Sequence, residues 1–240
     1  MLLPTIGIES MSNPKSPKRA QPTRNLLLSK MLPADRELVE AHLKEIELPL
    51  RTKLEKRQKR VEFIYFIDSG VASVVGNGNG EVEVGIIGRD GATGLSVVLA
   101  GDRANHDTYM QVAGTGRRLT AEDFRNVMSS STTLTNTMLR YANGFLVQVT
   151  QTATANACGT IPQRLARWLL MVQDRVETEA IPLTHEFLAI MLAVNRPGVT
   201  LALKALEDRA TISQRRGSLT IVDRAALEMI AGHIYETGRF

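Results

Sequence analysis

The sequence predicts an α+β chain in which a block of strands precedes a run of helices, and three observations carry that fold class. Between Leu48 and Arg118 apolar residues alternate with a period of two, interrupted by Gly, Asn and Asp turns. Between Thr132 and Ala157 they recur at intervals near three and four, over a stretch as long as a coiled-coil helix. Between Leu183 and Asp223 two short amphipathic segments flank a tight turn and run into a basic hairpin, the layout of a winged helix-turn-helix.

Taken in order, residues 1–24 hold Pro4, Pro14, Pro17 and Pro22 among polar and basic residues. Such a composition buries too little apolar surface to offset the entropy of ordering, so a flexible tail is expected. From Leu32 to Ile46 the spacing predicts an amphipathic helix with Leu38, Val39, Leu43 and Ile46 inward. FIYFIDSGVASVV, EVEVGII, LSVVLA and TYMQVAG then read as strands of a compact β domain. Gly76, Gly78 and Gly80 lie between two of these strands with no helix following, which marks a hairpin turn rather than a phosphate loop.

Thr120 is placed to cap a helix over AEDFRNVM. In the segment that follows, Leu134, Met138, Tyr141, Phe145, Val149 and Thr152 form a heptad-like seam, which either packs within the chain or pairs with a second copy. Ile161 opens a further helix with Leu165, Trp168, Leu169 and Val172 inward, and Cys158 sits at the hinge before it. Next, Leu183 and Leu188 bracket Thr184 as a hydrophobic staple around an N-cap. Asn195 is a second N-cap, with Pro197 in the first turn, where a missing N–H costs nothing. In that second helix Val199, Ala202, Leu203 and Leu206 face inward, and Arg196, Thr200, Leu201 and Lys204 point out.

An outward face with a cation at its N-terminal end suits a major groove, where Arg pairs bidentately with guanine. Arg215 and Arg216 lie on the turn of the closing hairpin, placed to meet phosphates. Ala193 occupies the helix-connecting turn, a position where a left-handed backbone would favour glycine. By pattern alone, the same residues also describe two helices and a solvated hairpin of any α-rich domain.

Composition narrows the function classes. The 240 residues carry 29 Lys and Arg against 25 Asp and Glu, a net charge of +4 that favours a polyanionic partner only mildly. One cysteine excludes a disulfide framework and a thiolate metal site, and no metal or cofactor is expected. His42, His106, His185 and His233 are scattered, with no nucleophile, base and orienter grouped in sequence, so an enzyme is not expected. No apolar run reaches the length of a membrane span and the start lacks the pattern of a signal peptide, so the expectation is a cytoplasmic protein without a membrane partner.

Leu183, Thr184, Glu186, Leu188, Ala189, Leu192, Val194, Arg196, Val199, Leu203, Leu206, Ile212, Arg216, Gly217, Ile221 and Asp223 stand in one register that resembles the C-terminal domain of the Crp/Fnr family of bacterial transcription regulators. The order of helix, β block, long helix and winged helix resembles the whole architecture of that family, and YFIDSGVASVV resembles its strand pair around a glycine turn, here Gly70. The resemblance implies a β-roll (jelly-roll-like) sensor domain over residues 25–130, a dimerisation helix over 131–158 and a winged helix-turn-helix DNA-binding domain over 159–240. It implies a homodimer on an inverted-repeat, double-stranded DNA operator. Thr184, Asn195, Arg196, Thr200, Lys204, Arg215 and Arg216 would be at the DNA, and the Leu134 to Thr152 seam between the subunits. Pro197, Gly198 and Leu201 depart from the family's best-known members, which have Glu, Thr and a second Arg there, so a different target sequence is expected.

The resemblance further implies a β-roll that can hold a cyclic nucleotide, with Glu after a glycine taking the ribose hydroxyl and an Arg-Ser or Arg-Thr pair taking the phosphate. Here Gly94 keeps the glycine, but Leu95 stands in place of Glu, and Asp107 with Thr108 in place of the Arg pair. A carboxylate facing a phosphate repels it, and the nearest substitutes are Arg103 and His106. Gly94, Leu95, Arg103, Asp107 and Thr108 therefore outline a candidate effector pocket that does not suit cyclic AMP, leaving an unknown small-molecule effector or none. Two alternatives stand beside the DNA-binding regulator: a ligand sensor whose roll binds a nucleotide or other metabolite and controls DNA binding, and a protein-interaction module whose winged helix no longer contacts DNA.

Overall fold

A computed structural model describes residues 23–78 and 80–235, so the tail expected over residues 1–24 lies outside the described residues except for Thr23 and Arg24. Both are held. Thr23 Oγ1 donates to Asp68 at 3.0 Å and Arg24 pairs with Glu177 at 3.0 Å. The fully buried Asn25 donates from Nδ2 to the carbonyls of Ile67 and Gly91, both at 2.8 Å, and its Oδ1 caps α1 (Leu26–Ser29) by accepting from the Leu28 N–H at 2.9 Å.

α2 spans Pro33–Glu40, shorter than the helix expected through Ile46. Its end tightens into bonds from His42 N–H to the Val39 carbonyl and Leu43 N–H to the Glu40 carbonyl, and β1 (Lys44–Leu48) begins. Glu45, Ile46, Glu47 and Leu48 alternate, a period of two that overrules the helical spacing once β7 offers a partner strand. Leu38, expected inward, is 42% exposed.

The strands β2 (Lys53–Glu55), β3 (Phe63–Ile67), β4 (Val71–Gly78) and β5 (Gly80–Ile87) follow. β4 and β5 pair down to Gly78 opposite Gly80, so the glycine run is a hairpin. Gly70 makes the turn before β4 with φ +83°, and a Cβ there would lie 2.5 Å from the Val112 carbonyl oxygen. LSVVLA, expected as a strand, begins with a short helix, α3 (Leu95–Val98), entered through Gly94 at φ +82°. All four of its residues are buried, and burial on every side gives no period by which a strand and a helix differ. β6 (Asp107–Val112) and β7 (Gly114–Thr120) complete two antiparallel sheets, ordered β1-β7-β3 and β2-β6-β4-β5. Ile64, Phe66, Ile67, Val74 and Met110 fill the core of this β-roll.

Thr120 caps α4 (Ala121–Ser130), accepting from the Asp123 N–H at 3.0 Å. α5 (Thr132–Cys158) then lies along the roll. Leu134, Met138, Tyr141 and Phe145 are buried in the roll's own core. The Tyr141 hydroxyl donates to the Ala92 carbonyl at 2.7 Å and accepts from its N–H at 2.9 Å. Val149 packs partly on the same core, and Thr152 accepts from Arg167 at 3.2 Å. The seam read as an intersubunit contact is therefore intrachain, because the roll supplies an apolar surface that the helix covers first. The opposite side of α5 exposes Leu139, Asn143, Leu146, Thr150, Ala153 and Ala157.

α6 (Ile161–Gln173), β8 (Ala180–Pro182), α7 (His185–Met191), α8 (Arg196–Glu207), β9 (Ile212–Arg215), β10 (Ser218–Ile221) and α9 (Arg224–Ala231) build a second core. Leu165, Trp168, Leu169 and Val172 of α6 are buried in it as the spacing predicts. The two cores meet at Glu83 of β5. Its carboxyl group accepts from Trp168 Nε1 of α6 at 2.8 Å and lies 2.5 Å from Ser73 Oγ of β4. Ser73 Oγ is in turn 3.7 Å from Met191 Sδ of α7. Among the described residues, no single helix is long and apolar enough to cross a membrane.

Candidate nucleic-acid interface

α7 and α8 form the helix-turn-helix, bent by 99°, within the range of DNA-binding examples. Each has the cap its sequence predicts. Thr184 Oγ1 accepts from the Phe187 N–H at 3.3 Å and Asn195 Oδ1 from the Gly198 N–H at 2.9 Å. The turn between them is held from below, where the Arg164 guanidinium of α6 donates to the Leu192 carbonyl. Ala193 adopts φ +47° in this turn, a left-handed conformation that opposes its side chain by about 1–2 kcal/mol relative to glycine.

Val199, Ala202, Leu203 and Leu206 seat α8 on the second core. The outward face presents Arg196, Thr200, Leu201 and Lys204. Arg196 extends from the N-terminal turn and pairs with Glu186 of α7 at 3.2 Å, both side chains being mostly solvated. A pair so exposed is worth little to stability. Thr200 Oγ1 donates to the Arg196 carbonyl at 3.1 Å and lies 3.3 Å from His185 Nδ1.

The wing is the β9–β10 hairpin, with Arg215 opposite Ser218 and an exposed tip of Arg215, Arg216 and Gly217. β8 joins it as a third strand that the sequence pattern did not single out, giving the order β8-β10-β9. Glu207 at the end of α8 accepts from the backbone and side chain of Gln214 at 3.1 and 2.9 Å, which ties the wing to the second helix. Thus Arg196, Thr200, Lys204, Arg215 and Arg216 are all exposed, while Thr184 and Asn195 use their side-chain oxygens as caps.

In the roll, Gly94 and Thr108 converge on a residue that sequence reasoning missed. Glu55 at the end of β2 accepts from the Gly94 N–H at 3.2 Å and from Thr108 Oγ1 at 2.7 Å, with His106 Nε2 at 3.6 Å. Its side chain is 2% exposed. A buried carboxyl group thus takes both of these donors. Nothing local marks Glu55, because its partners lie 39 and 53 residues away. Asp107 instead accepts from the Arg57 N–H at 3.0 Å, and Arg103 donates to the Gln58 carbonyl at 2.9 Å. Beside this cluster, between α3 and α5, a cavity of about 620 Å³ is lined by Leu95, Ser96, Arg103, His106, Phe145 and Leu146 among others.

Residues 163–230 match the family model of the Crp-like helix-turn-helix domain. No curated protein matches the chain by sequence. Solved structures match over most of its length. A protein from Eubacterium rectale assigned to the crp/fnr family is 18% identical with a TM-score of 0.66, covering 86% of this chain and 97% of its own. FixK2 from Bradyrhizobium japonicum is 13% identical with a TM-score of 0.69, covering 79% and 98%. A CRP-family transcriptional regulator from Thermus thermophilus is 18% identical with a TM-score of 0.65, covering 80% and 98%. The chain therefore has the fold of the Crp/Fnr-type transcription regulators, and its residues 163–230 match the Crp-like helix-turn-helix domain.

Proposed function

We propose that this chain is a homodimeric, sequence-specific DNA-binding transcription regulator acting in the cytoplasm, with a β-roll that does not take cyclic nucleotides. The division into a roll over residues 25–130, a dimer helix over 131–158 and a DNA-binding domain over 159–240 belongs to the same reading. The observation that carries it is the exposure of Arg196, Thr200 and Lys204 on the face of α8 away from its core, together with exposed Arg215 and Arg216 on a wing that Gln214 ties to Glu207 of α8. Arg196 reads a base in the major groove, and the wing arginines contact phosphates.

The test separates these two kinds of cation. Arg196→Ala is expected to cost about 1–3 kcal/mol on the preferred site and to relax preference at one base position. Arg215→Ala or Arg216→Ala is expected to weaken binding to all sequences alike and to lower the slope of log affinity against log salt by about one. The preferred site is an inverted repeat with half-sites about 34 Å apart. Equal behaviour of the Arg196 and wing variants, or indifference to scrambling one half-site, would overturn the reading and favour a protein-interaction module.

The roll's part follows from Glu55. Calorimetry is expected to show no sub-micromolar binding of cyclic AMP, since its phosphate would face the carboxylate that already holds Gly94 and Thr108. A second reading, a sensor of some other small molecule, is favoured by one observation. Ser96 Oγ is buried without a hydrogen-bond partner at the 620 Å³ cavity, which touches both the roll and α5. Protection of the cavity residues from hydrogen exchange by a cell metabolite would select that reading.

A further inference from the structure

Resting on the proposal that α8 enters the major groove, we infer that Leu201 is a specificity-determining residue that reads the C5-methyl group of a thymine. Leu201 is 69% exposed at the middle of the outward face, next to Thr200 and three residues before Lys204. Large apolar side chains scattered on a surface need no explanation. This one stands among the residues that would line the groove floor, where polar edges of bases surround it. Of the groups that the four bases present in the major groove, the thymine methyl is the one that an aliphatic side chain can bury against. A branched side chain here also rejects a bare polar edge, because burying a base donor or acceptor under it without a hydrogen bond is unfavourable. Reading by Leu201 is thus by attraction to the methyl and by exclusion of guanine at the same position.

The helix geometry places the thymine. Leu201 follows Arg196 by five residues, roughly 7.5 Å along the helix axis at about 1.5 Å per residue. With base pairs stacked about 3.4 Å apart, the thymine lies about two base pairs from the base that Arg196 reads. The register is rigid, since Val199, Ala202, Leu203 and Leu206 are locked in the core and Glu207 is tied to the wing.

The experiment uses the full-length protein and a preferred duplex selected from a random pool. Each thymine is replaced in turn by deoxyuracil, symmetrically in both half-sites, which deletes the methyl and leaves the pairing edge intact. One substitution, about two base pairs from the Arg196-dependent position, is expected to weaken wild-type binding about fourfold per half-site, the effect of one methyl-sized group. In Leu201→Ala the same substitution should have no effect, while Leu201→Met should retain part of it. Circular dichroism and melting of both variants should match wild type, because the residue is exposed.

A deoxyuracil penalty of equal size in wild type and Leu201→Ala, or no penalty at any thymine, overturns the inference. If Arg196→Ala still relaxes one base position in that case, groove reading survives and only the thymine contact is lost. If no preferred duplex emerges, both fall together.

Discussion

Leu146→Asp is expected to convert the proposed dimer into a folded monomer, whereas Met138→Asp is expected to unfold the β-roll. The two residues lie two turns apart on α5, yet Leu146 is 61% exposed and Met138 is fully buried. The exposed line Leu139, Asn143, Leu146, Thr150, Ala153 and Ala157 advances by four and three residues alternately, which is the heptad of a two-stranded coiled coil. Arg140 is the one charged residue in the 27 of this helix, so its outer side has little to keep it in water. Asn143 falls within the line, where a polar residue sets the register of a parallel pair. Placing an Asp carboxylate in such a contact costs several kcal/mol, about the scale of an unpaired buried polar group or more. In the Met138 position it meets the roll's core instead, and the loss falls on folding.

Sedimentation and circular dichroism distinguish the outcomes. Dissociation with an intact spectrum is the result expected for Leu146→Asp, and loss of the β-sheet signal for Met138→Asp. An unchanged dimer in Leu139→Asp and Leu146→Asp alike would place the subunit contact elsewhere.

The second large effect is expected at Glu83. Burial between the roll and α6 pushes its carboxyl up from the usual value of 4.5 to about 8, against the hydrogen bonds from Ser73 and Trp168 and the charges of Arg167 and Arg175, which pull it down. Arg175 is itself held by Asp90 at 2.7 Å, and Arg167 bonds to Thr152 at 3.2 Å. The neutral acid suits the site, since its O–H can donate a hydrogen bond to Ser73 Oγ, which frees the Ser73 hydroxyl to donate to Gln111 Oε1 at 3.3 Å.

A folded value above the unfolded one means that the stabilisation is complete below about pH 4.5 and is lost progressively as pH rises to about 8. At about 1.4 kcal/mol per pH unit this single group accounts for several kcal/mol over that window. Glu83→Gln keeps the shape and cannot ionise, so denaturation midpoints of the variant should stay flat between pH 5 and pH 8 where those of wild type fall. Parallel slopes in the two proteins would mean that Glu83 is ionised in its site at neutral pH.

Elements whose signals are local are legible in the residues alone. Thr120, Thr184 and Asn195 act on backbone groups three residues away, so a cap is visible wherever its residue stands. The inward faces of α6 and α8 follow from spacing alone, because each helix has one partner surface. The hairpin at Gly78 and the left-handed turn at Ala193 were legible for the same reason.

Features that depend on a packing partner come from the folded chain. α5 carries two faces that can each be buried, and only the placement of the β-roll shows that Leu134, Met138, Tyr141 and Phe145 are used within the chain, leaving Leu139 and Leu146 outside. β1 became a strand because β7 lay within reach, and Leu95–Val98 became a helix in an environment apolar on all sides. Glu55 and Glu83 are ordinary in sequence, set in strands beside lysine, leucine and valine. Their partners are Thr108 at 53 residues' separation and Trp168 at 85, and the charge state of Glu83 is set by the burial and donors it meets in space rather than along the chain.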